Sequence, residues 1–199
     1  RSPHSTPADI PVISEIATGL EVPWALAFLP DGSLLVTERK GSVRMVDQNG
    51  KITNIAEINV QQTGESGLHG IALHPKFPKE SYVYLYYTYS SENENSLNKV
   101  SRFIFSENKL KDEQVLVDNI PGATIHDGGR IKFASDGHLY ITTGDASNPS
   151  LSQNKDSLAG KILRVTDEGK TAPGNPFNTS IYSYGHRNVQ GLAWDSNGN

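Results

Sequence analysis

Three segments set an ionisable side chain against glycine just ahead of an apolar run. QQTGESGLHG (61–70) offers Glu65, IPGATIHDGG (120–129) offers His126 with Asp127, and IYSYGHRNVQG (181–191) offers His186 with Arg187. A histidine, with an ordinary pKa near 6.5, is a neutral proton acceptor at working pH, and a positioned base contributes about 10²–10⁴-fold to a rate. An arginine stays cationic and suits an oxygen that gains negative charge. Asp145, closing LYITTGD (139–145), adds an acid. The same residues have plainer uses: a His-Asp pair can form a turn or cap, and Asp145 can cap its strand. His69 and His74 lie in an apolar stretch and read as structural hydrogen-bonding groups, and Arg130 reads as a structural anchor.

Ionisable groups at one register in consecutive loops need a repeating scaffold, and the chain has one. WALAFLPDGSLLVTERKGSVRMVDQNGK (24–51) and GRIKFASDGHLYITTGD (129–145) each read as apolar strand, Asp-Gly turn, apolar strand, with glycine supplying the positive φ of the turn. Weaker copies begin at Gly70 and Gly191. With Phe28, Leu73, Phe133 and Trp194 as equivalent anchors, the spacings are 45, 60 and 61 residues, the period of propeller blades with loop insertions. Ser42–Val46, Lys99–Phe105 and Lys161–Val165 read as outer strands. The polar run SSENENSLNK (90–99) reads as an exposed loop, and YVYLYYTY (82–89) as alternating packing residues. No segment of ten or more residues keeps a helical period. The expectation is an all-β chain of about three and a half blades, and since a closed propeller needs at least four, a part of a larger disc.

Composition sets outer bounds. A chain of 199 residues with 36% apolar content can bury a core. The formal charge of −4, with Lys and Arg scattered, provides no basic face, so nucleic acid is not an expected partner. No apolar run approaches the roughly 20 residues of a membrane span, and the first residues lack the regions of a signal peptide. Without cysteine, thiolate metal sites, disulfides and a cysteine nucleophile are excluded.

The segments GESGLHGIALHPKF, HDGGRIKF, LYITTGD, LAGKILRV and YSYGHRNVQGLAW, in this order and spacing, resemble the soluble pyrroloquinoline quinone-dependent aldose sugar dehydrogenases of the glucose/sorbosone dehydrogenase family. The resemblance runs from about Ile16 to Asn199. It implies a six-bladed β-propeller of four-stranded antiparallel blades, with residues 1–15 a tail or closing strand and 16–199 the N-terminal half. It implies oxidation of the anomeric hydroxyl of an aldose to the lactone by hydride transfer to the quinone. By position, His126 matches the general base and Asp145 the acid that orients it. Arg187 and Asn188 match residues at the reactive carbonyl edge of the cofactor, and Glu65 a Gln or Glu facing the cofactor. Gly128 and Gly129 would let backbone approach the flat cofactor. The family commonly has Leu at the position of His69 and Pro at that of Val189. The ligands of the cofactor-bridging calcium, and the basic residues that grip the cofactor carboxylates, are expected downstream of Asn199; none of the site residues named is a metal ligand.

An external electron acceptor, a C-terminal half completing the propeller and a periplasmic or extracellular location follow from the same resemblance. Two other functions fit a propeller: a calcium-dependent lactone hydrolase, which would need a ring of acids, and a non-catalytic binding module.

Overall fold

The computed structural model describes residues 13–93 and 95–198, so most of the expected tail over 1–15 lies outside the described residues. Three four-stranded antiparallel sheets follow one another along the chain. The first holds β1 (Pro23–Phe28), β2 (Leu34–Glu38), β3 (Ser42–Val46) and β4 (Ile52–Glu57). The second holds β5 (Leu68–Leu73), β6 (Tyr82–Ser90), β7 (Ser96–Ser106) and β8 (Lys109–Pro121). The third holds β9 (Gly128–Phe133), β10 (Leu139–Thr143), β11 (Lys161–Val165) and β12 (Ile181–Tyr184). Each sheet is a blade in which every strand pairs with its sequence neighbours. The helical elements among the described residues are one turn of α1 (Pro149–Gln153) and a short 3₁₀ turn at Pro176–Asn178.

The two Asp-Gly signals make the same turn. In each, glycine sits at positive φ, 85° at Gly32 and 78° at Gly137, and the aspartate accepts a backbone N–H two residues on, Ser33 to Asp31 and His138 to Asp136, both at 2.9 Å. Five residues connect the strands in each case, with the hairpin closed from Leu29 N–H to the Ser33 carbonyl and from Ala134 N–H to the His138 carbonyl.

The core lies between blades, and strand alternation divides it. Along β6, Val83, Leu85 and Tyr87 pack toward the first blade with Leu35, Val43 and Ile55. Tyr84 and Tyr86 of the same strand pack toward the third with Ile131, Ile141 and Leu163. The tyrosine-rich run is therefore packing, as its alternation implies. On β1, Ala25 faces the second blade and Phe28 points away from it, 70% exposed, so this anchor is not a core residue.

Three sequence expectations are corrected. Ser42–Val46, the strand around Lys99–Phe105 and Lys161–Val165 are third strands, and the outermost positions belong to β4, β8 and β12. The run 90–99 is a loop only in part, since Ser96–Lys99 pairs with Tyr87–Ser90 and strand takes in both of its ends. The fourth copy, from Gly191, forms no strand among the described residues. A strand needs a hydrogen-bonded neighbour; Thr142 and Arg130 bind the carbonyls of Val189 and Gln190 just ahead of this segment, and within it Trp194 packs on Tyr140, 5.1 Å between ring centroids.

Inner strand β5 lies against both β1 and β9. A side chain at Gly70 would run into the Gly129 carbonyl, so this glycine is required by the approach of two inner strands. The loops entering β5 and β9 are thereby brought together.

Candidate active site

His126 occupies the loop entering β9 with a φ of 63°, in the left-handed region that non-glycine residues seldom adopt. Such a conformation costs on the order of 1–3 kcal/mol and persists only where neighbours hold it. Here its N–H donates to Glu65 Oε2 at 3.1 Å, its carbonyl accepts from Ala146 N–H at 3.2 Å, and its Nδ1 lies 2.8 Å from Asp145 Oδ1. Gly144 is needed opposite, because a side chain there would overlap the His126 carbonyl.

Asp145 is 1% exposed, and Oδ1 also accepts the Ser147 N–H at 3.0 Å. A carboxylate in that position takes the Nδ1 proton, leaving Nε2 of His126 as the lone-pair nitrogen. The strand-capping role of Asp145 and its role as histidine partner thus coexist. Asp127, next in sequence to His126, turns the other way: Oδ1 accepts from Asn98 Nδ2 and from Ala123 N–H, each at 3.0 Å, and burial pushes its carboxyl up. The acid adjacent in sequence is structural, and the partner of the histidine is the acid 19 residues on.

The other predicted residues converge on the same loop. Asn188 Oδ1 accepts the Gly128 N–H at 2.9 Å, which leaves its amide N–H₂ available, and Asn188 bridges Gly144 in antiparallel fashion. The Arg187 carbonyl accepts the Asp145 N–H at 2.8 Å. Its guanidinium is exposed and has no ion-pair or hydrogen-bond partner among the described residues. Glu65 N–H donates to the Thr124 carbonyl at 2.8 Å, so the Glu65 and His126 loops are docked by backbone as well as side chain. His186 does not join: its Nε2 pairs with Ser183 Oγ at 2.8 Å, and burial lowers its pKa.

Below the histidine lies a chamber of about 150 Å³ lined by Trp24, Arg39, Glu65, His69, Asp127, Gly128 and Gln190. Arg39 Nε, His69 Nδ1 and Asp127 Oδ2 are buried around it without a partner among the described residues. Arg130 packs its guanidinium over Trp24, 4.3 Å from the ring centroid, as an anchor would. Gly128 and Gly129 are required by the strands around them. A Cβ at Gly128 would meet Thr143 of β10 at 2.6 Å and one at Gly129 would meet His69 of β5 at 2.7 Å, so packing against neighbouring strands already requires glycine at both positions, and Gly128 also lines the chamber.

Lys161 carries no signal in the sequence beyond opening an apolar strand. It is fully buried and donates to the carbonyls of Leu151 and Ser152 at 2.9 and 3.0 Å, tying α1 to β11.

Fold and site together define a β-propeller protein with a histidine–aspartate pair where the loops entering β5 and β9 meet. Residues 20–199 match the family model described as Glucose / Sorbosone dehydrogenase, and the chain belongs to that family. It is 33% identical over 188 residues to the Escherichia coli aldose sugar dehydrogenase YliI, covering 87% of this chain and 50% of that protein. It is 30% identical over 226 residues to quinoprotein glucose dehydrogenase B of Acinetobacter calcoaceticus, covering 92% and 46%. The PQQ-bound aldose sugar dehydrogenase of Streptomyces coelicolor superposes with a TM-score of 0.89 at 44% identity, covering 94% of this chain and 57% of that one. The chain spans about half the length of the curated relatives it matches.

Proposed function

We propose that this chain carries the base and part of the cofactor site of a pyrroloquinoline quinone-dependent aldose sugar dehydrogenase, of whose propeller it supplies about half. The observation that carries the reading is the His126–Asp145 pair, with a buried carboxylate fixing one ring nitrogen and freeing the other.

The residues present fit the cofactor. An exposed guanidinium at Arg187 and the spare amide of Asn188 suit the oxygens of a quinone, and around the chamber lie three buried polar atoms without a partner among the described residues. When bound, the quinone supplies the electrophilic carbon that accepts a hydride from the anomeric carbon. His126 Nε2 takes the proton of the anomeric hydroxyl as that hydride departs, so the C–O single bond becomes the lactone carbonyl. Asp145 holds the tautomer and stabilises the resulting imidazolium. Arg187 offers its charge to the oxygen that becomes negative, and Asn188 orients the same edge. An external two-electron acceptor then restores the oxidised cofactor.

Calcium fits no cluster here. Among the described residues no group of three or more acids or histidines could hold a metal. A histidine base paired with one acid also favours hydride transfer over lactone hydrolysis. Among the described residues no helix is long and apolar enough to cross a membrane, which is compatible with a periplasmic or extracellular enzyme.

The test is product identification. The complete protein, loaded with quinone and given an aldose and a soluble electron acceptor, should form the lactone with loss of acceptor colour. Hydrolysis of added lactone without acceptor reduction would replace this reading with the hydrolase.

A further inference from the structure

The hydrogen bond that sets the height of the Glu65 loop comes from a residue outside the proposed chemistry. His69, on β5 and 2% exposed, lies 2.9 Å through Nε2 from the Glu65 carbonyl. A carbonyl only accepts, so Nε2 carries the proton and Nδ1 is bare toward the chamber. The ring is held on both sides, with Trp24 at 5.0 Å and Tyr86 stacked at 5.9 Å between centroids. Its edge fills the space left by Gly129, where a Cβ would come within 2.8 Å of Nδ1.

Three of the groups that His69 touches, Glu65, Tyr86 and Gly129, lead to His126. Glu65 is fixed through its carbonyl, and its carboxylate is the acceptor of the His126 N–H. Tyr86, stacked on the same imidazole, donates its hydroxyl to the Asp127 carbonyl at 2.7 Å, immediately after His126. Gly129 lies three residues beyond the base. The left-handed backbone of His126 is therefore gripped from below by one aromatic stack.

We propose that His69 is a positioning residue for His126, acting through the Glu65 carbonyl and the Glu65 carboxylate to hold the base in its left-handed conformation. This rests on the reading of His126 as the base. Without the His69 donor, the Glu65 turn is free to shift, the His126 amide loses its acceptor, and Nε2 leaves the line to the substrate hydroxyl while Asp145, Arg187 and Asn188 stay in place. Such a displacement lowers kcat and leaves KM for the sugar near its original value, because sugar binding does not pass through Glu65 in this scheme.

The experiment uses the complete quinone-loaded protein with His69→Leu, which removes the donor, and His69→Gln, whose amide N–H can reach the same carbonyl. We expect about a tenfold fall in kcat for His69→Leu with KM within about twofold, together with about tenfold faster hydrogen exchange at the His126 amide, and recovery of both in His69→Gln. Unchanged exchange at that amide in a folded His69→Leu protein overturns the proposal, as does faster exchange with undiminished kcat. His126→Ala, run in parallel, separates the two failures. If it keeps full turnover the base assignment is wrong, whereas loss of turnover there with an indifferent His69→Leu rejects the positioning role alone.

Discussion

Asp145 Oδ1 lies 2.8 Å from Nδ1 of His126 and accepts the Ser147 N–H as well, so one buried carboxylate both closes the turn after β10 and sets which nitrogen of the imidazole is protonated. The consequence is that charge and acceptor capacity at Asp145, rather than its volume, govern the base. Asp145→Asn keeps the shape but can present N–H₂ to Nδ1, which puts the ring proton on Nε2 and removes the lone pair. We expect kcat to fall about 10²-fold or more with cofactor affinity nearly unchanged, measured by steady-state kinetics beside quinone titration. Retained turnover would show that the pair does not select the tautomer.

Arg187 makes a different prediction, because in the proposed reaction its exposed guanidinium would meet the cofactor before and during hydride transfer. Arg187→Ala should weaken quinone binding and slow oxidation together. Arg187→Lys should recover binding in part, since an ammonium keeps the charge without the planar fork. An unchanged quinone dissociation constant in the alanine variant would remove Arg187 from the cofactor edge.

His69 links the site to acid stability. Burial, aided by the charges of Arg39 and Arg130 and opposed by the bond to the Glu65 carbonyl, lowers its pKa from 6.5 to about 4. The unfolded chain therefore binds a proton between about pH 6.5 and 4 that the folded chain does not, and stability falls as pH is lowered through that window. The difference is on the order of 3 kcal/mol once both pKa values are passed. Urea unfolding across that range should show a shallower acid decline for His69→Gln than for the wild type. Parallel curves would mean that His69 protonates as readily in the folded protein as in the unfolded one.

The repeat is legible in the sequence because Asp-Gly turns and period-two alternation report strands that are buried on both sides, such as β2, β6 and β10. The fourth strands are not. In β8, KLKDEQVLVDNIP pairs on one side only and buries only Val117 and Ile120, so its alternation is too weak to separate it from loop. The site residues are visible as types, but their partnership is not. Which of Asp127 and Asp145 meets the imidazole depends on a φ of 63° at His126, a conformation that a non-glycine residue disfavours and that the distant Glu65 carboxylate helps to hold. The family resemblance points to the right acid where adjacency points to the wrong one. His69 is legible only as a structural histidine, because its link to the base passes through a carbonyl.

The central claim is that His126 Nε2 takes the proton of the anomeric hydroxyl. The most direct measurement is rapid mixing of an aldose with the complete quinone-loaded protein while the quinone absorbance is followed, for the wild type and for His126→Ala at equal cofactor occupancy. The account predicts bleaching in the wild type and a rate at least about 10²-fold lower in the variant. Bleaching at the same rate in both would contradict it.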